Sequence, residues 1–187
     1  GESEESEIEQ ITVNSFISEQ EIQHQNNLLF QETPLLNRLW AERNLSPRCF
    51  KDYKCGLQYG YFSPFKQKQQ CLTFPMYQYR ERRFVATKYK TRCVSNNIKS
   101  FNQYPVMNEP GLFGFGSSEH SKRKCVVTEG EYDAMAVYEG TGYEVKAVSL
   151  PIGANTISDK LIDQLSAVYD EFLLFLDWDA VGQQNAE

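Results

Sequence analysis

Two acidic clusters dominate the chemistry this sequence could perform: Thr128-Glu129-Gly130-Glu131-Tyr132-Asp133 and Asp177-Trp178-Asp179. Each follows an apolar run that reads as a buried strand, Val126-Val127 before the first and residues 172–176 before the second. If these strands are parallel, both clusters emerge at one edge, where open α/β sheets place their ligands. Carboxylates gathered there suit a divalent cation, Mg²⁺ or Mn²⁺, held through a few side chains plus water and phosphate oxygen, which points to phosphoryl-transfer chemistry rather than a sealed metal cage. Asp177 and Asp179, at i and i+2 where a strand ends, can both face one ion. Glu129 on the neighbouring strand completes the set or acts as general base, and Asp133, one turn into the following helix, binds a second ion or a metal-bound water. Glu131 is open between facing the metal and complementing the positive N-terminal end of that helix.

A second constellation is basic. Residues 66–99 hold 9 basic and 1 acidic side chains, against 5 and 10 in residues 1–65 and 5 and 14 in residues 100–187. Within a chain of net charge −6, such a segment suggests a polyanion track beside a metal site. Lys88 and Lys90 lie two apart on a strand and so project from one face, with Arg92 beyond them. Arg80, Arg82 and Arg83 crowd a hairpin turn. His24 and His120 sit in polar surroundings without a ligand-type partner and are assigned no chemistry. The five cysteines are odd in number and contain no CxxC pair, which argues against a zinc ribbon and for a reducing compartment. No apolar stretch approaches the roughly 20 residues that span a bilayer, and no signal-peptide pattern opens the chain.

The elements that must position these residues are legible in outline. Residues 1–32, rich in Glu, Gln, Asn and Ser, read as an acidic, flexible lead-in with at most one short helix. Thr33-Pro34 and Ser46-Pro47 open two short helices. Residues 56–62, 71–77 and 84–90 are aromatic and β-branched and predict a small antiparallel sheet. From Lys124 strand and helix alternate, the pattern of βαβ units: a strand over 125–128, a helix over 132–139, a strand over 145–150, a loop around Gly153 and Asn155, a helix over 158–169, a strand over 172–176 and a helix from about Ala180. Gly130 is expected to permit a tight strand-to-helix turn.

A strand ending in Glu-Gly-Glu-x-x-Asp followed by a strand ending in Asp-x-Asp-x-x-Gly resembles the TOPRIM domain of primases and topoisomerases. More specifically, residues 126–135, the 148–154 stretch and residues 177–182 look like the primase half of phage-type primase-helicases and their mitochondrial Twinkle relatives, and the likeness extends over residues 34–187 through Leu112-Phe113-Gly114 and the 87–90 strand. The resemblance implies an α/β fold in which a basic α+β subdomain, residues 33–109, precedes a TOPRIM domain, residues 110–187, a mainly parallel sheet flanked by helices and truncated at its C-terminal end. It implies a nucleotidyltransferase that makes RNA primers on single-stranded DNA with Mg²⁺, a helicase domain in the parent chain and no membrane partner; the Gln/Asn-rich, zinc-free form points to the mitochondrion, otherwise to replicating DNA elsewhere inside the cell. By the same resemblance Glu129, Asp133, Asp177 and Asp179 would be metal ligands, with Glu129 catalytic. Lys88 would contact nucleoside triphosphate, supported by Lys90 and Arg92, and Arg80, Arg82 and Arg83 would follow the template backbone. The chain has no CxxC zinc module and no P-loop motif, so template recognition through zinc and a helicase engine are not expected within it. Two other functions remain open at this point: a TOPRIM nuclease or topoisomerase fragment, and a non-catalytic DNA-binding or assembly module.

Overall fold

The computed structural model describes residues 16–62, 65–94, 101–116, 124–152 and 157–177. Three helices come first: α1 (Glu19–Gln31), α2 (Thr33–Arg43) and α3 (Pro47–Asp52). Strands β1 (Gly56–Phe62), β2 (Gln67–Arg80), β3 (Arg83–Cys93), β4 (Asn102–Tyr104) and β5 (Leu112–Phe113) follow. The chain then alternates through β6 (Lys124–Thr128), α4 (Glu131–Gly140), β7 (Val148–Ser149), α5 (Asp159–Ser166) and β8 (Glu171–Phe175). The described strands make one eight-stranded sheet in the order β4-β3-β2-β5-β7-β6-β8, with β1 also on β2. Pairing is parallel where β6 meets β7 and β8, as the alternating pattern predicts, and antiparallel elsewhere.

The spine is β2. Its first half pairs with β1 and its residues Met76 and Tyr77 pair with β5, while β3 runs along the other side. Pro75 lies between Thr73, the last residue paired with β1, and Met76, the first paired with β5. A proline inside a central strand is tolerated there because that gap in the ladder asks for no donor. Since β5 pairs in turn with β7, the sheet runs without a break from the basic segment to the acidic strand ends.

Alternation along β2 builds two cores. Leu72, Phe74 and Met76 join Leu36 and Leu39 of α2, Phe50 of α3 and Met135 of α4 on one face. Tyr77 turns to the other, with Leu112, Val127, Val148 and Leu161 and Leu165 of α5. The first helix departs most from expectation. It runs 13 residues and buries Ile22, Gln25, Asn26 and Leu29. Its apolar stripe is weak because two of the four buried positions are amides. Asn26 earns its place by donating from Nδ2 to the Cys55 carbonyl at 2.6 Å, and Ser18 caps the helix by accepting from Glu21 N–H at 3.1 Å. The strand expected over 145–150 shortens to Val148–Ser149, extended by a Leu150 N–H to Thr128 carbonyl bond of 3.0 Å.

Candidate functional site

Parallel pairing of β6 and β8 sets Thr128 beside Phe175, so the residues just beyond both strands meet. The Asp177 N–H donates to Glu129 Oε1 at 2.9 Å, fixing one carboxylate oxygen and leaving Oε2 for other work. Gly130 is the N-cap of α4 with an extended φ of −117°. It makes no left-handed turn, and a Cβ there would stand 2.8 Å from Asp133 Oδ2, the movable end of a side chain. The first turn of α4 carries Asp133 back toward the strand ends.

Glu129, Asp133 and Asp177 are thus brought to one edge. The Asp133 carboxyl is pushed above the ordinary aspartate range, by desolvation first and then by the negative charge of Asp177, against the pull of Gly130 backbone and Arg43. A cation between them would relieve that repulsion, and three carboxylates are the oxygen donors that Mg²⁺ or Mn²⁺ accepts. The donor types suit such an ion, but among the described residues no three His, Cys, Asp or Glu side chains stand close enough together to hold one. Asp179, the loop around Gly153 and Asn155, and the helix expected from about Ala180 lie outside the described residues.

The basic row on β3 is assembled by register. Met76 opposes Lys88, Phe74 opposes Lys90 and Leu72 opposes Arg92, and cross-strand partners share a face. Lys88, Lys90 and Arg92 therefore project on the side covered by α4. Lys90 and Glu131 form an ion pair at 3% and 1% side-chain exposure, and Arg92 Nη2 reaches Glu131 Oε2 at 3.3 Å. The ring of Phe101 closes this triad, 4.5 Å from Lys90 Nζ and 5.5 Å from Arg92 Cζ. Burial lowers the Lys90 amine, opposed by the charge of Glu131. Lys88 is also buried and donates from Nζ to the Val106 carbonyl at 3.2 Å. Burial alone lowers its amine.

Glu131 therefore faces neither the metal edge nor solvent at the helix end: its partners are on β3, and nothing local in the sequence marks that pairing. Arg43 was likewise not singled out. Its guanidinium lies 3.7 Å from the centroid of the Tyr132 ring and supplies positive charge to Asp133. At the hairpin tip, Arg82 and Arg83 are exposed, whereas Arg80 is held by Gln78 Oε1 at 2.7 Å and Glu109 at 3.5 Å. Chemically, the arrangement sets an edge of carboxylates near a mostly buried cationic row, in which Glu131 neutralises Lys90 and Arg92.

No protein-family model matches the chain, and no curated protein matches its sequence. Solved structures do match in fold. The DnaG primase catalytic core superposes with a TM-score of 0.64 over 88% of this chain and 62% of its own length, at 14% identity. The DnaG primase catalytic domain bound to ssDNA gives 0.60 over 81% and 56%, at 15% identity. The primase fragment of the bacteriophage T7 primase-helicase protein gives 0.52 over 78% and 56%, at 21% identity. The chain thus has the fold of primase catalytic cores and spans somewhat over half the length of these structures.

Proposed function

We propose that this chain is the catalytic part of a DNA-dependent RNA primase of the Twinkle-like and phage-type primase-helicase kind, acting on single-stranded DNA with Mg²⁺ in the mitochondrion. The observation that carries the reading is the meeting of Glu129, Asp133 and Asp177 at the parallel end of the sheet, on a fold shared with primase cores. Glu129, Asp133, Asp177 and Asp179 would hold the ion, which when bound neutralises charge on the transferring phosphate and acidifies the attacking hydroxyl. Glu129 keeps one oxygen on the Asp177 N–H, which orients the other toward the ion or the hydroxyl proton. Lys88, tethered among the described residues to the Val106 carbonyl, can exchange it for a triphosphate oxygen, and Lys90 and Arg92 position it by fixing β3 against α4. Arg80, Arg82 and Arg83 would follow the template backbone, and a helicase domain elsewhere in the parent protein would deliver the strand.

The test is primer synthesis. The protein is incubated with single-stranded DNA, labelled ribonucleotides and Mg²⁺, beside Asp177→Ala. Short RNA from the wild type, reduced about 100-fold or more in the variant, is expected for loss of transition-state charge stabilisation. Nicking of supercoiled plasmid without RNA would move the site to strand cleavage, and DNA binding with neither product would make it a non-catalytic module.

A further inference from the structure

Tyr59 and Tyr61 are 71% and 54% exposed on β1. Single exposed aromatics are ordinary, but these two share a strand face. The register opposes Leu57 to Leu72, Tyr59 to Gln70 and Tyr61 to Lys68. Cross-strand partners project together, so the face that buries Leu57 and Leu72 continues outward as Tyr59, Tyr61, Gln70 and Lys68. Leu72 in turn opposes Arg92. The tyrosines therefore lie on the same side of the sheet as Lys88, Lys90 and Arg92, at its open end.

Electrostatics and shape agree. No Asp or Glu falls between Tyr53 and Arg80, and Lys66 and Lys68 lie beside the tyrosine end of β1, whereas Lys54 is paired with Glu19 and Arg80, at the far end of β2, with Glu109. The opposite face of these strands is closed by Phe62, Cys71, Cys93 and Phe65. Within the sheet the Gln70 backbone carbonyl accepts the Val94 N–H at 3.0 Å, and Arg38 of α2 donates to the Val94 carbonyl at 2.8 Å. These residues and Leu35 line a cleft of about 330 Å³ between α2 and the sheet.

We propose that Tyr59, Tyr61 and Lys68 form a stacking platform for single-stranded nucleic acid at the open end of the sheet, outside the buried pairs that Lys90 and Arg92 make with Glu131. The inference rests on the reading of the site as a nucleic-acid centre and adds the path of the strand away from it. Residues two apart on a strand stand about 6.8 Å apart, so each ring can take one base face without regard to sequence, while Lys68 and Arg38 follow the phosphates.

Binding of a labelled oligo-dT and of an abasic strand of the same length is measured by anisotropy, without nucleotides, for the full chain. Tyr59→Ala/Tyr61→Ala should weaken oligo-dT binding about 10- to 100-fold, with Tyr59→Phe/Tyr61→Phe within about twofold of wild type. The abasic strand should bind wild type and the double-alanine variant alike. Lys68→Gln should lower the slope of log affinity against log salt by about 0.7. Equal oligo-dT affinities for wild type and the double-alanine variant overturn the proposal and leave the face to a protein partner. An equal loss for the abasic strand, or no binding by wild type, also overturns it. Primer synthesis on the same preparations keeps the readings apart: RNA made with binding unchanged removes the platform alone, and no RNA with the stacking loss intact removes the priming function alone.

Discussion

Glu131 brings one negative charge into contact with two cations at almost zero exposure. A buried carboxylate bears a desolvation penalty that only well-placed partners offset, so removing the charge strands Lys90 in the interior beside Arg92. Glu131→Gln is expected to lower stability by about 3–5 kcal/mol, read as a shift of the urea midpoint. Lys90→Met combined with Glu131→Leu should recover much of that loss. Residue types at the acidic edge were legible in the sequence because two apolar strands run directly into Glu129 and Asp177, and the period of a strand and the first turn of a helix place them. The partner of Glu131 was not legible. The pairing spans 41 residues in sequence to Lys90, and depends on which face of β3 meets the start of α4, a matter of sheet register rather than local pattern.

Among the elements, the β2–β3 hairpin shows how local chemistry and tertiary need diverge. Arg80 opposes Arg83, leaving Glu81 and Arg82 as a two-residue turn with φ of 51° and 62°. Positive φ at both positions is the type I′ geometry that favours Asn-Gly, and two long side chains accept strain there. Glu81→Asn with Arg82→Gly should therefore raise stability by about 0.5–1 kcal/mol in chemical denaturation. Arg82→Gly alone removes an exposed cation and keeps Glu81, so under the proposed function affinity for single-stranded DNA should fall and its salt slope shrink by about 0.7. Affinity unchanged in that single variant would take Arg82 out of the template path. The hairpin was readable from its strands and turn; α1 was not, because Gln25 and Asn26 occupy inward positions that hydrophobic periodicity assigns to solvent.

At the scale of the whole molecule, the five cysteines and many tyrosines are packed rather than displayed. All five thiols are buried. Burial pushes Cys71 up to about 11 and Cys125 up to about 12, and raises Cys49, Cys55, Tyr53 and Tyr77 as well. A thiol that ionises near pH 9 when unfolded but later when folded contributes stability that is complete below pH 9 and is lost as pH climbs through the folded value. Lys146 works in the opposite sense. Its amine is lowered to about 8 by burial, so between pH 8 and 10.5 the unfolded chain binds the extra proton and this one group increasingly favours folding. The urea midpoint should therefore level near pH 8–9 and fall by pH 10.5; a midpoint still rising there would contradict the packing of the thiols.

The strand order also divides the acidic edge between regions of unequal firmness. Glu129 and Asp133 belong to β6 and α4, which are built into the core through Val127, Ala134 and Met135. Asp177 hangs from β8, which among the described strands pairs with β6 alone at the sheet edge, with Leu173 64% and Phe175 63% exposed. Elements with few buried contacts open locally long before the molecule unfolds. The three carboxylates therefore stand together only while β8 stays zipped to β6, and under the proposed function an ion that bridges Asp177 to Glu129 would act as the latch on that strand.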